Sequence, residues 1–189
     1  YPKLFLRNSS ITSVSSYLDG STTTTNNNND SSTTDPPYIF VPCPAAIKSA
    51  VSHIMPTKIS RGHSDLIHKM SLCEFFIGTS GTGSPAHWHV MAMNSLLHGR
   101  KHWLLAPPSA SFHSRKPAQS FWREDVPILL AEHNEDHRYL TCTQHSGDIL
   151  VVPRFWMHST LNEGESYGYA VEFNTDVVSP TAPQPKEVV

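Results

Sequence analysis

The chain has 189 residues, which is enough for one domain with a substantial hydrophobic core. Fourteen Lys and Arg residues against sixteen Asp and Glu residues give a formal net charge of −2. The overall charge therefore offers no electrostatic attraction for nucleic acid or an anionic membrane, whereas twelve histidines make metal binding an early hypothesis.

The cysteine pattern indicates whether the protein is found in a reducing or an oxidising compartment. Cys43, Cys73 and Cys142 are odd in number and widely spaced, with no Cys-x-x-Cys pair. This pattern predicts reduced thiols in an intracellular protein, nuclear or cytoplasmic, rather than a disulfide framework. No run of 18 apolar residues is present, so we expect no membrane span. Because the chain begins with Tyr1 rather than Met, we expect that an N-terminal part is missing.

The amino-acid composition changes at residue 36, from mainly polar to partly apolar. Residues 1–20 mix short apolar and polar pieces and are predicted to lead into the fold. Residues 21–35 (STTTTNNNNDSSTTD) contain no apolar residue to bury, which predicts a disordered loop. Residues 36–42 predict a short strand between prolines, and residues 44–55 carry apolar residues near helical spacing.

The rest of the chain predicts many short strands separated by turns. The predicted strands lie at 72–77, 86–91, on both sides of a hairpin tip at Gly99-Arg100, and at 148–153, 156–161 and 167–174. Residues 109–137 predict a helix or a long surface excursion. This composition of elements indicates a compact antiparallel barrel or jelly roll over residues 36–176, followed by a flexible tail at 177–189.

Three histidines stand out as candidate metal ligands. His87 and His89 lie one residue apart in the predicted strand 86–91, so both imidazoles should point to one face, about 7 Å apart. His158 lies in the apolar and aromatic segment VVPRFWMHSTLN. Taken alone, it is more typical of a core histidine. Beside an H-x-H strand in a small barrel it becomes the best third ligand, and three imidazoles suit Fe, Zn, Cu or Ni.

Several motifs in order resemble the Jumonji-C (JmjC) branch of the cupin-fold, 2-oxoglutarate- and Fe(II)-dependent oxygenases. They are GTGSPAHWH, NSLLHGRKHWLLAPP, GDILVVPRFWMHSTLN and YAVEFN, within residues 37–174. The resemblance implies a double-stranded β-helix (jelly-roll, cupin-like) with a few peripheral helices. It also implies Fe(II) as cofactor and 2-oxoglutarate as cosubstrate.

Carried over to this sequence, the resemblance makes His87 and His158 the two iron-binding imidazoles. It implies that Lys101 binds the far carboxylate of 2-oxoglutarate, helped by Ser84, with Asn94 near the cosubstrate. Physical chemistry supports the lysine separately, because an ammonium that points into a barrel needs an anionic partner. The alternative for this lysine is a solvated hairpin tip.

One residue departs from the family pattern. His89 stands where the family has Asp or Glu, so the metal would keep more positive charge, which disfavours the higher oxidation states of iron. The resemblance implies a hydroxylase or N-demethylase acting on a protein or peptide, histone or non-histone, with RNA less favoured and no membrane partner. The alternatives are an inactive JmjC-like metal-binding scaffold and a three-histidine cupin dioxygenase that does not use 2-oxoglutarate.

Overall fold

The structure, a computed structural model, describes residues 38–43, 50, 70–132 and 138–174. All of them lie in the unit that spans residues 35–189. The predictions of a lead-in at 1–20, a disordered loop at 21–35 and a tail at 177–189 lie outside the described residues, as does nearly all of the predicted helix at 44–55. None of the described helices has the length and apolar character needed to cross a membrane.

Seven antiparallel strands make up the described sheet, and two of them are much longer than the others. These two are β4 (Met91–Ala106, 16 residues) and β7 (Met157–Phe173, 17 residues). The shorter strands are β1 (Ile39–Pro42), β2 (Met70–Gly78), β3 (Gly83–His87), β5 (Leu140–His145) and β6 (Ile149–Val152). The predicted excursion after β4 contains a 3-10 helix (Pro108–Ala110) and two short α-helices, α1 (Ala118–Glu124) and α2 (Val126–Ala131).

The two long strands pair with each other and are shared by two half-sheets. In the first half-sheet, residues 166–173 of β7 lie between β2 and the start of β4, and β6 is the outer neighbour of β4. In the second half-sheet, residues 157–163 of β7 lie between β3 and the end of β4, whose outer neighbour is β5. This is a jelly-roll arrangement, so the predicted mainly β fold with few peripheral helices is confirmed.

The predicted hairpin tip at Gly99-Arg100 is wrong, because β4 continues through it. The pairing of β4 with β7 shifts between Leu96 and His98 and again between His98 and Arg100. Gly99 has a φ of 88°, a left-handed conformation that favours glycine, and forms a bulge. Such a bulge bends the strand and lets it serve both half-sheets. The predicted strands at 156–161 and 167–174 likewise form one strand, β7.

Each half-sheet has an outer face packed against apolar side chains. Cross-strand partners share a face, so the register assigns every residue to one side. The outer face of the first half-sheet carries Met93, Tyr169, Val171 and Phe173. The outer face of the second carries Leu104, Ala106 and Met157 and is covered by α1 and α2, which contribute Phe121 and Val126. The inner faces therefore turn toward each other and enclose the polar interior described below.

The prediction that all three thiols are reduced is wrong. Cys43 and Cys73 form a disulfide between Cα atoms 5.3 Å apart, and the Cys43 N–H donates to the Cys73 carbonyl oxygen at 2.9 Å. Cys142 is free and exposed. Spacing alone could not reveal a pairing across 30 residues. Reduced thiols therefore no longer support the nuclear or cytoplasmic location, which stays a prediction.

We predict that replacing both disulfide cysteines with serine lowers the free energy of unfolding by about 3 kcal/mol, because the bridge restricts a 30-residue loop in the unfolded chain. Urea denaturation of the double variant and wild type measures the difference. Cys142→Ser is the matched control, and its midpoint should not move. A double variant as stable as wild type would contradict a structural role for the bridge.

Candidate metal centre

Three histidines meet on the inner side of the jelly roll. His87 is the last residue of β3 and lies directly opposite His158 on β7. His89 follows in the segment that leads to β4. The ring centroids are 4.2 Å (His87–His158), 4.6 Å (His89–His158) and 5.5 Å (His87–His89) apart. One nitrogen of each ring lies within 4.8 Å of the other two, so a single ion could contact all three.

Tertiary contacts rather than strand alternation place His89. The predicted continuous strand 86–91 is wrong, because β3 ends at His87 and β4 begins at Met91. The Phe155 N–H donates to the His89 carbonyl oxygen at 2.9 Å, and the Phe155 ring meets Trp88 edge-on at 5.5 Å. Phe155 itself has a φ of 63°, a strained conformation of the kind found beside functional sites. The turn before β7 therefore holds the segment that carries His89.

Hydrogen bonds to backbone carbonyls determine the tautomer of all three rings. Nδ1 of His87 donates to the Pro85 carbonyl oxygen at 2.8 Å, and Nδ1 of His89 donates to that of Val90 at 2.7 Å. Nδ1 of His158 donates to the Trp156 carbonyl oxygen at 3.1 Å. A carbonyl oxygen only accepts, so each Nδ1 carries a proton, and in the neutral ring Nε2 presents the lone pair. Metal-binding histidines commonly use this arrangement.

The electrostatics of the cluster keep two of the rings neutral. Burial, then the nearby His89 ring, lowers the pKa of His87 from 6.5 to about 4. Burial, then His87 and His89, holds the pKa of His158 well below its ordinary value. Only a neutral imidazole can bind a metal through nitrogen. The three rings therefore fit an ion that accepts nitrogen ligands, such as Fe, Zn, Cu or Ni.

Lys101 is fully buried in the same interior. Its Nζ donates to the Tyr38 hydroxyl at 2.5 Å and lies 3.8 Å from the centroid of the Phe76 ring. Burial lowers the pKa of Lys101 from 10.5 to about 7, and no carboxylate in the described part of the chain offsets this effect. The alternative of a solvated hairpin tip is therefore wrong. A buried ammonium with a hydroxyl and two aromatic rings around it suits an anionic ligand.

The lysine and the histidines occupy one face of the second half-sheet. Lys101 lies opposite Asn162, and Leu105 lies opposite His158 in the same β4–β7 register. Trp103 lies between them on β4, with its ring 6.0 Å from that of His158. The predicted cosubstrate pocket and the histidine cluster are therefore neighbours along one inner surface.

The other two predicted cosubstrate residues also face the interior. Ser84 lies opposite Thr160 on β3, and its hydrogen bonds involve the backbone: its N–H donates to the Thr160 hydroxyl, and its carbonyl accepts from Ser159. Asn94 lies on the first half-sheet, opposite Ala170. The side-chain oxygen of Asn94 is buried without a hydrogen-bond partner among the described residues.

The sequence did not assign two residues of this pocket. Tyr38 contacts Lys101 from a position 63 residues earlier in the chain, so only the fold reveals the pair. Asn162 follows His158 by four residues. Its Nδ2 donates to the Thr82 hydroxyl at 2.9 Å, whereas its side-chain oxygen is buried without a described hydrogen-bond partner. Its position in the motif GDILVVPRFWMHSTLN was the available signal.

Comparisons with known proteins agree with this geometry. The family described as "JmjC domain, hydroxylase" matches residues 74–173, which is more than half of the chain. Human JmjC domain-containing protein 8 is 37% identical over 90 residues, covering 47% of this chain and 33% of that protein.

Two enzymes are also similar. The lysine-specific demethylase JMJ21 of Arabidopsis thaliana is 33% identical over 98 residues, covering 42% of this chain and 10% of the enzyme. The bifunctional arginine demethylase and lysyl-hydroxylase psr-1 of Caenorhabditis briggsae is 29% identical, covering 48% of this chain and 26% of that protein. The matched segment thus spans a third or less of each of these relatives.

Acid should destabilise the metal-free domain through the histidine cluster. Because the pKa of His87 is lowered to about 4, the unfolded chain binds a proton more readily than the folded chain between pH 6.5 and 4. Stability is then present above pH 6.5 and is lost as the pH falls through this window. We expect His87 to contribute about 3 kcal/mol of this loss. Urea denaturation at several pH values, with EDTA present, measures it.

The variant His87→Gln should retain more of its stability at pH 4.5, relative to its own value at pH 7, than wild type does. The exposed His145 provides the control, since His145→Gln should follow the wild-type profile. Identical profiles for wild type and His87→Gln would contradict the neutral, buried cluster.

Replacing the buried lysine should stabilise the ligand-free domain. The pKa of Lys101 is lowered to about 7, so the unfolded chain binds more protons between pH 7 and 10.5 and stability rises with pH across that window. We expect Lys101→Met to raise the free energy of unfolding at pH 7 by about 2–4 kcal/mol and to flatten this dependence. The exposed Lys116→Met should give no comparable gain, and a destabilised Lys101→Met would contradict the account.

Proposed function

Because the chain belongs to the JmjC domain family of hydroxylases, we propose that it is an Fe(II)- and 2-oxoglutarate-dependent oxygenase acting on a protein substrate. The observation that carries the proposal is the pairing of two features in one interior. One nitrogen of each of the three imidazoles lies within 4.8 Å of the other two, and a buried lysine lies on the same inner face.

We propose that His87, His89 and His158 hold the iron. When bound, the iron and 2-oxoglutarate supply oxidation of the substrate by O2 coupled to decarboxylation of the cosubstrate. The contribution of the chain is to orient the three rings through their carbonyl partners and to keep His87 and His158 neutral. It also limits the contact of one ligand with water, since His158 is only 4% exposed.

Lys101 is proposed to bind the far carboxylate of 2-oxoglutarate, together with the Tyr38 hydroxyl that it already contacts. A carboxylate there would return the lysine to its charged form and offset the effect of its burial. Ser84 and Asn94 are proposed to bind the cosubstrate more weakly. The unpaired side-chain oxygen of Asn94 is consistent with a ligand that brings a donor or an ordered water.

The proposed substrate is a protein side chain, to be hydroxylated or N-demethylated, as the names of the similar Arabidopsis and Caenorhabditis enzymes suggest. A cavity of about 390 Å³ lies between residues 112–115 and the helices α1 and α2. The Ser114 N–H donates to the Ala86 carbonyl oxygen, and the His113 ring lies 5.1 Å from Trp88. These contacts join the cavity to the segment that carries His87 and His89, and we propose it as the place of a substrate side chain.

His89 favours a second candidate function. A neutral ligand in place of the family's carboxylate stabilises oxidised iron less well. The domain would then be a metal-binding scaffold without turnover, or a three-histidine dioxygenase that does not use 2-oxoglutarate.

Succinate formation tests the proposed function. We expect the purified protein with Fe(II), ascorbate, O2 and 2-oxoglutarate to release succinate, measured by mass spectrometry. His158→Ala should lower the rate by more than about 100-fold. Removing a residue that hydrogen-bonds to a metal ligand typically costs about 10- to 100-fold, and removing the ligand itself should cost more. Lys101→Met should raise the KM for 2-oxoglutarate more than it lowers kcat, because it removes binding of a group that does not react.

Three outcomes would separate the candidates. No turnover in wild type with turnover in His89→Asp would identify a scaffold derived from an oxygenase. Consumption of O2 without 2-oxoglutarate would favour the other dioxygenase. Absence of bound metal in every preparation would contradict both proposals.

A further inference from the structure

A carboxylate approaches the histidine cluster from the opposite half-sheet. Oε1 of Glu172 lies 3.9 Å from Nε2 of His89, and the side chains of Glu172 and His89 are 23% and 14% exposed. Glu172 belongs to β7, as His158 does, but lies 14 residues further along the strand. The gap of 3.9 Å is too long for a hydrogen bond.

When His89 is in the neutral form that can bind a metal, this approach is unfavourable unless a cation lies between the two side chains. Nδ1 of His89 carries the proton that it donates to the Val90 carbonyl oxygen. In the neutral ring, Nε2 therefore presents a lone pair toward a carboxylate oxygen, which also presents only lone pairs. Two acceptors that face each other in a partly buried site repel each other, and a metal ion between them would convert this repulsion into attraction.

The sheet register shows that Glu172 is aimed inward. It lies opposite Ala92 on β4 and Leu72 on β2. The same face of β2 carries Phe76, whose ring contacts the ammonium of Lys101 in the interior. The Ser71 hydroxyl donates to the Glu172 carbonyl oxygen at 3.2 Å and holds this part of the strand. The carboxylate is thus presented to His89 by a paired strand.

We propose that Glu172 is a fourth ligand of the metal and supplies the negative charge that His89 does not. This inference rests on the proposed function, in that it requires a metal at the three histidines. A metal ion with bonds of about 2.0–2.2 Å to Nε2 of His89 and Oε1 of Glu172 can join atoms up to about 4.4 Å apart. The observed separation of these two atoms, 3.9 Å, is within this limit. Three neutral imidazoles and one carboxylate carry the same total charge as two imidazoles and one carboxylate, so the change at His89 leaves the net charge of the ligand set unchanged.

Co²⁺ is a suitable probe, because its visible spectrum reports the ligand set and its affinity can be measured by calorimetry without any turnover. We expect wild type to bind one Co²⁺ per chain. Glu172→Gln should bind at least about tenfold more weakly, with a changed visible spectrum. The matched control is Glu163→Gln on the same strand. Glu163 is 47% exposed and pairs with Arg100 on the surface, so this variant should keep the wild-type affinity and spectrum.

Melting curves separate metal binding from folding. In metal-free protein, the new amide of Glu172→Gln can donate to Nε2 of His89, so the variant should melt no lower than wild type. The increase in Tm caused by Co²⁺ should be smaller than in wild type. Glu172→Asp keeps the charge on a side chain one carbon shorter, and we expect it to bind Co²⁺ more tightly than Glu172→Gln does.

The outcomes distinguish this inference from the proposed function. If wild type and Glu172→Gln bind Co²⁺ with equal affinity and equal spectra, Glu172 is not a ligand, although the three-histidine site stands. A Glu172→Asp affinity no higher than that of Glu172→Gln would also overturn the proposal, since the charge would then be without effect. If wild type binds Co²⁺ no better than His158→Ala does, the metal site itself is absent and both proposals fail.

Discussion

The carbonyl hydrogen bonds to Nδ1 of His87, His89 and His158 are the interactions on which the interior of this protein depends. Each bond places a proton on Nδ1 and orients its ring, and one nitrogen of each ring lies within 4.8 Å of the other two. Without a metal, the arrangement brings lone pairs together in a buried space, which is unfavourable. The jelly roll stabilises it because β3, β7 and the turn at Phe155 are held by backbone pairing that does not involve the rings.

The same interior holds the buried amine of Lys101, which has a hydroxyl partner but no described carboxylate partner. Buried ionisable groups whose pKa is strongly shifted commonly mark a ligand site. Here the buried cation and the converging imidazoles lie along one face, with Trp103 between them. The proposed oxygenase activity would account for both of them. The departure at His89 is local, and Glu172 offers a charge to compensate for it.

Local sequence patterns predicted much of the fold. They failed where contacts between residues distant in sequence determine the structure. Turn residues and apolar runs predicted most strands, yet Gly99 was interpreted as a hairpin tip, because a glycine with positive φ serves a turn and a bulge equally well. The pattern H-x-H predicted that His87 and His89 would be neighbours, although the strand ends between them. Tyr38, Glu172 and the Cys43–Cys73 bridge depend on contacts distant in sequence, which spacing cannot show.

Anomalous diffraction at the cobalt edge, from crystals of the protein grown with Co²⁺, tests the central claim most directly. The account predicts one strong peak per chain, within bonding distance of Nε2 of His87, His89 and His158. A peak bound to Nδ1, a peak elsewhere in the molecule, or no peak in crystals that contain the intact interior would contradict it.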